Sequence, residues 1–179
     1  RRSSDLVELL TASAFILCLL SKGPGMGSAI MCMFSGILIT AAFIDARHMY
    51  IPDGIHVLIL LLSCISLAAG SAPSLMNRLG GSLLTGGFLA LVNLLSRGGV
   101  GWGDVKLFAA SGLLIGAAPA MTALLMGYVT AGLWYAVPLL RGRVGRKTQI
   151  PMAPFFAVSL MICGLWFRQL LLWYLGFFR

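Results

Sequence analysis

Asp45 and Asp104 are the residues of this chain whose type and placement point to chemistry. Asp45 closes the apolar run Gly36-Ile-Leu-Ile-Thr-Ala-Ala-Phe-Ile44, and Asp104 directly follows Gly101-Trp102-Gly103 at the start of a later run. An acid at the rim of a hydrocarbon-length helix is costly and marks a functional site by default. Two carboxylates brought close together share a proton, because like charges at short range cannot both ionise cheaply. The ionised member can take a proton from water while the protonated one hydrogen-bonds to a substrate carbonyl, as in aspartic proteases. Gly101 and Gly103 fit such a site, since glycine opens backbone angles closed to other residues and leaves room for a peptide beside Asp104.

The elements that must position these acids are membrane helices. The 179 residues are 59% hydrophobic and 10% charged, whereas soluble domains are roughly 45–50% apolar and about 25% charged. That composition excludes a soluble enzyme. It predicts an all-α polytopic transmembrane bundle of about seven helices, forming one membrane-embedded unit over residues 1–179. Seven apolar runs, roughly 5–21, 27–45, 55–71, 79–96, 104–118, 119–140 and 151–167, are long enough or nearly so to span ~30 Å of hydrocarbon at about 20 residues each. The fifth is short, and Pro119 reads as the break between it and the sixth. The stretch from Gln169 to Phe178 either continues the seventh helix or lies at the interface, where Trp173 and Tyr174 are at home. Small-residue spacings such as Gly112-x-x-x-Gly116 let helices pack closely. Asp5 and Glu8 form a capping-box pattern at the start of the first helix.

The net charge of +8 is explained by topology, with no nucleic-acid partner. With the N-terminus in the cytoplasm, that side holds Arg1, Arg2, Arg47, Arg97, Lys106, Arg141, Arg143, Arg146 and Lys147; the far side holds Lys22, Arg78, Arg168 and Arg179. The bias predicts N-in and C-out. Helix two then returns to the cytoplasm at Asp45 and helix five leaves it at Asp104, so span counting puts both acids at one depth on one face. Cys18, Cys32, Cys64 and Cys163 lie in apolar runs without Cys-x-x-Cys spacing and read as small apolar side chains, neither disulfides nor zinc ligands. Asp53, after Pro52, reads as a helix cap. His48 and His56 lack the spacing of metal ligands, so no metal is expected. Lys106 lies roughly 200° around the helix from Asp104 and is expected at the headgroups. Arg47 is expected near Asp45, as a cation favouring its ionised form. Trp102 walls a groove or anchors the interface, and Pro151 and Pro154 mark a loop entering a helix.

Phe43-Ile-Asp45-Ala-Arg-His-Met-Tyr-Ile-Pro-Asp53, followed by Gly99-Val-Gly101-Trp-Gly-Asp104-Val-Lys-Leu-Phe-Ala-Ala110, resembles the signature of type IV prepilin peptidases, the Gly-x-Gly-Asp membrane aspartic proteases. Leu6-Val-Glu-Leu-Leu-Thr-Ala12 and Gln149-Ile-Pro151-Met-Ala-Pro154-Phe155 agree in order and spacing, so the resemblance covers nearly the whole chain. It implies that Asp45 and Asp104 are the catalytic pair, with Gly101, Trp102, Gly103, Arg47, Lys106, Pro151 and Pro154 as groove or supporting residues. It implies a bacterial cytoplasmic-membrane enzyme that removes the short basic leader of prepilins or pseudopilins at the cytoplasmic face. Cleavage follows a Gly and precedes an apolar helix that stays in the bilayer. No metal or other cofactor is implied for proteolysis.

The chain departs from that family in lacking an N-terminal helix and a cytoplasmic segment with Cys-x-x-Cys pairs. It begins Arg1-Arg2, without Met or a cleavable-signal pattern, and reads as a truncated core or a naturally short member. S-adenosylmethionine enters only where the family's N-methyltransferase activity is retained, and no residue is assigned to it. Two other readings compete. A presenilin-like Gly-x-Gly-Asp protease would place Tyr before the first acid, where this chain has Ile44. A proton-coupled transporter would need a polar path through the bilayer, toward which the spans offer scattered Ser and Thr plus Asn93.

Overall fold

Glycine and proline punctuate the apolar runs, and between them the described residues form seven helices. These are α1 (Arg2–Lys22), α2 (Met26–His48), α3 (Asp53–Ala68), α4 (Leu75–Leu95), α5 (Trp102–Ile115), α6 (Ala117–Leu140) and α7 (Ala153–Phe177). The computed structural model describes residues 2–71, 73–141 and 150–177. Arg1, Arg143, Arg146, Lys147, Gln149 and Arg179, which entered the charge and motif arguments, lie outside them. All regular structure among the described residues is helical.

Helices α2, α4, α6 and α7 are long and apolar enough to cross a membrane, as expected of a multi-pass membrane protein. The fifth run was expected to be short, and the third proves short as well. Helices α3 and α5 have 16 and 14 residues, or roughly 24 and 21 Å at 1.5 Å per residue, short of the ~30 Å hydrocarbon core. Helix α5 tolerates this because protein encloses it: Leu107 and Phe108 are fully buried, and it packs on α3, α4, α6 and α7. Backbone that neighbours cover does not need to match the bilayer.

Two boundaries differ from expectation, and a third, left open between two readings, is decided. The break between α5 and α6 is Gly116, at φ 90°, rather than Pro119. Pro119 sits in the first turn of α6, where a missing N–H costs nothing, and Asn77 Oδ1 accepts the Ala117 N–H at 2.9 Å. Asp5 lies inside the first turn of α1 and is not its cap. Helix α7 continues to Phe177 through a local distortion at Trp166 (φ −122°, ψ 15°).

The core runs through Phe34 and Leu38 of α2, Ile59 of α3, Phe108 of α5 and Phe156 of α7. Phe156 meets Phe108 edge-on at 4.9 Å between ring centroids. The most extensive helix pairing is α4 on α5. It depends on Gly81 and Gly112: a Cβ on either would stand 2.5 Å from the other's backbone.

Candidate active site

Asp45 stands in the last turn of α2, which closes at Met49 in the left-handed region (φ 57°); the Met49 N–H bonds the Asp45 carbonyl at 2.9 Å. The residue is buried, with 8% of its surface exposed, and its Oδ2 accepts the Ala153 N–H at 2.9 Å. Ala153 is the first residue of α7. A helix N-terminus offers unpaired N–H groups and the positive end of the helix dipole, both suited to an acid. Asp104 lies in the first turn of α5, after the cap residue Gly101.

Asp45 and Asp104 line one cavity of about 730 Å³, together with Gly101, Trp102, Gly103 and Tyr128. Sequence thus proposed two acids at one face, and the fold brings them to one hollow. Arg47 is exposed at the end of α2, and no ion pair joins it to Asp45 among the described residues. Lys106 is not aimed at headgroups alone: its Nζ binds Asp53 Oδ1 at 2.7 Å. Asp53 therefore does not act as a side-chain cap, for the N-cap of α3 is Pro52. Pro151 is half-buried between Ile150 and Met152, which line the cavity. Pro154 faces a separate apolar hollow of about 450 Å³ between α1, α2 and α7.

Gly101 and Gly103 line the cavity and also have close neighbours within this chain. A Cβ on Gly103 would come 3.3 Å from Ile51 Cβ, and one on Gly101 would come 3.4 Å from Asp104 Oδ2. Gly103 is thus tight against this chain's own Ile51, whereas a side chain at Gly101 would meet Asp104 only in ordinary contact. Gly101 has ordinary extended angles (φ −65°, ψ 136°); the unusual ones fall earlier in the turn, at Arg97 (φ 52°) and Gly98 (φ 94°).

Polar side chains hold the turn that enters α5. Buried Asn93 of α4, in the amide orientation that satisfies both its ends, donates to the Val100 carbonyl at 2.9 Å and accepts the Trp102 indole N–H at 3.2 Å. It is therefore engaged in structure, not standing in an open polar path. His56 Nε2 donates to the Gly103 carbonyl at 3.0 Å, from a buried residue 5% exposed. Tyr128 of α6 reaches the cavity with its ring edge-on to Phe156 at 5.2 Å. The sequence reading missed these roles for His56 and Asn93, although a polar residue inside an apolar helix was itself the signal. Tyr128 carried no such signal, because aromatic residues are common in membrane helices.

Residues 32–136 match the model of the type IV leader peptidase family. The chain is similar to the Prepilin leader peptidase/N-methyltransferase of Bacillus subtilis, 28% identical over 94% of this chain and 68% of the relative. It is 31% identical to the protein of that name from Aeromonas hydrophila, over 95% and 60%. It is 35% identical to the Type 4 prepilin-like proteins leader peptide-processing enzyme of an Escherichia coli strain, over 86% and 58%. The chain thus spans between 58% and 68% of the length of these relatives. No solved structure matches it.

Proposed function

The chain belongs to the type IV leader peptidase family, and on that premise we propose that it is a membrane aspartic endopeptidase that removes the short basic leader of type IV prepilins or pseudopilins. The observation that carries this reading is the convergence of Asp45 and Asp104 on one cavity, from helices far apart in sequence. One carboxylate takes a proton from water as the water oxygen attacks the scissile carbonyl carbon. The other, protonated, donates to the carbonyl oxygen. The tetrahedral intermediate collapses, the C–N bond breaks, and the proton moves to the leaving amine. The bond from the Ala153 N–H fixes the Asp45 carboxylate during these steps. Residues 1–179 act as a single peptidase unit in the bacterial inner membrane, N-in and C-out, with the dyad facing the cytoplasm. The leader stays in the cytosol while the substrate's apolar helix remains in the bilayer.

The relatives' names include N-methyltransferase, which implies a methyl donor of the S-adenosylmethionine type. Among the described residues, the lining of neither cavity described above fits it. The dyad cavity is lined, among the described residues, by two acids and no cation that could pair with the donor's carboxylate. The apolar hollow offers Ser13 as its polar side chain.

The test is leader removal from a prepilin by the protein reconstituted in liposomes. Asp45→Asn and Asp104→Asn should each lower the rate at least about 10²-fold, as expected for loss of a general acid or base. Processing at the normal rate by either variant would sink the dyad.

A further inference from the structure

We infer that His56 is a positioning residue for Asp104; the inference rests on the proteolytic reading above and names what holds one of its acids in place. The chain enters α5 through a turn with left-handed backbone at Arg97 and Gly98, and its N-cap, Gly101, has no side chain to cap the helix. Its first helical turn must be held from outside. Helix α3 does this on both sides of the acid. Before Asp104, His56 Nε2 donates to the Gly103 carbonyl at 3.0 Å, so the bonded ring carries its proton on Nε2. After Asp104, Lys106 Nζ binds Asp53 Oδ1 at 2.7 Å. Ile51, just ahead of α3, packs against the bare Cα of Gly103. The Gly103–Asp104 peptide is therefore fixed by its carbonyl on one side and by steric contact on the other, and that peptide sets the direction of the Asp104 side chain.

Stability alone does not account for a histidine here. Its Nδ1 is buried without a hydrogen-bond partner among the described residues, and it pairs with the Asp53 carboxylate, 3.6 Å away, only when the ring is charged. In the neutral ring that nitrogen goes unsatisfied at a cost, so an apolar residue of similar size would serve packing better. What that residue would lack is the N–H aimed at Gly103. Asn93 grips Val100 and Trp102 from α4, so His56 is the α3 half of a two-sided hold. Dyad geometry is demanding enough to need it: a functional constellation must be held within about 0.5 Å.

The experiment uses the reconstituted full chain and a synthetic peptide of basic leader, Gly and apolar helix. His56→Phe fills the volume without a donor. His56→Asn keeps polarity but falls short of Gly103. His56→Gln can reach it. His56→Phe and His56→Asn should lower kcat about 10- to 100-fold, the scale of a small misplacement, with KM nearly unchanged. His56→Gln should recover most of the loss. Hydrogen exchange over residues 99–104 should rise in the first two variants and not in the third. A merely structural role would instead lower the unfolding temperature without a change confined to that segment. Unchanged kcat in both deficient variants, no recovery by His56→Gln, or unchanged exchange over 99–104 each overturns the inference. If the wild-type chain fails to cleave, the proteolytic reading falls, and exchange over 99–104 alone decides whether His56 holds the turn.

Discussion

Arg78 is fully buried and meets no carboxylate among the described residues. Its Nε donates to the Pro73 carbonyl at 2.9 Å and its Nη1 to the Leu113 carbonyl at 3.2 Å; its Nη2 donates to Ser66 Oγ at 2.8 Å and the Ser71 carbonyl at 2.9 Å. The guanidinium thereby ties the last turns of α3 and α5 to the loop before α4, joining helix ends whose last carbonyls lack intrahelical partners. From sequence, Arg78 counted only as a charge on the far side of the membrane. Its planar array of donors is what the site uses, and lysine lacks it. Arg78→Met should destabilise the fold by about 3 kcal/mol, because several buried carbonyls lose a charged donor together. Arg78→Lys should lose less, both read as thermal unfolding in detergent. The same blindness affected His56 and Asn93: composition marked them as polar and out of place, but not what they touch.

At the scale of elements, the crossing of α4 and α5 decides where Asp104 sits. Gly81 and Gly112 touch backbone to backbone, and Thr85 Oγ1 donates to the Phe108 carbonyl at 3.0 Å across the same contact. Gly81→Ala and Gly112→Ala should each destabilise by about 1–3 kcal/mol, as overpacking does, because rigid backbone stands in the way. They should also slow cleavage by shifting α5. Gly87→Ala is the contrast: no atom lies within 4 Å of its added Cβ, and alanine gains up to about 1 kcal/mol over glycine in a helix interior. Unfolding temperatures that rank Gly87→Ala below the other two would refute this account of the crossing. Small residues in these helices were legible in sequence as packing sites. Which glycines meet was not, because close approach depends on the crossing point of two helices.

For the whole molecule, the proposed N-in, C-out arrangement predicts labelling from opposite sides. In a background without native cysteines, Arg47→Cys and Trp102→Cys should react with a membrane-impermeant reagent from the cytoplasmic face. Met76→Cys, at a position 79% exposed, should react from the other. Labelling of positions 47 and 102 from different faces would overturn the topology and with it a dyad on one side.

The sequence by itself determined the class of molecule and the location of its helices, because hydrocarbon thickness and backbone hydrogen bonding leave an apolar chain little choice. It also singled out Asp45 and Asp104, since an acid in such surroundings is too unfavourable to be incidental. Only the tertiary structure decided how they are held: Asp45 on the N-terminus of α7, Gly103 against Ile51 and His56, Trp102 on Asn93. Those contacts join residues remote in sequence. Hydropathy reports each residue's preference for lipid or water, and it carries no information about which helix faces meet.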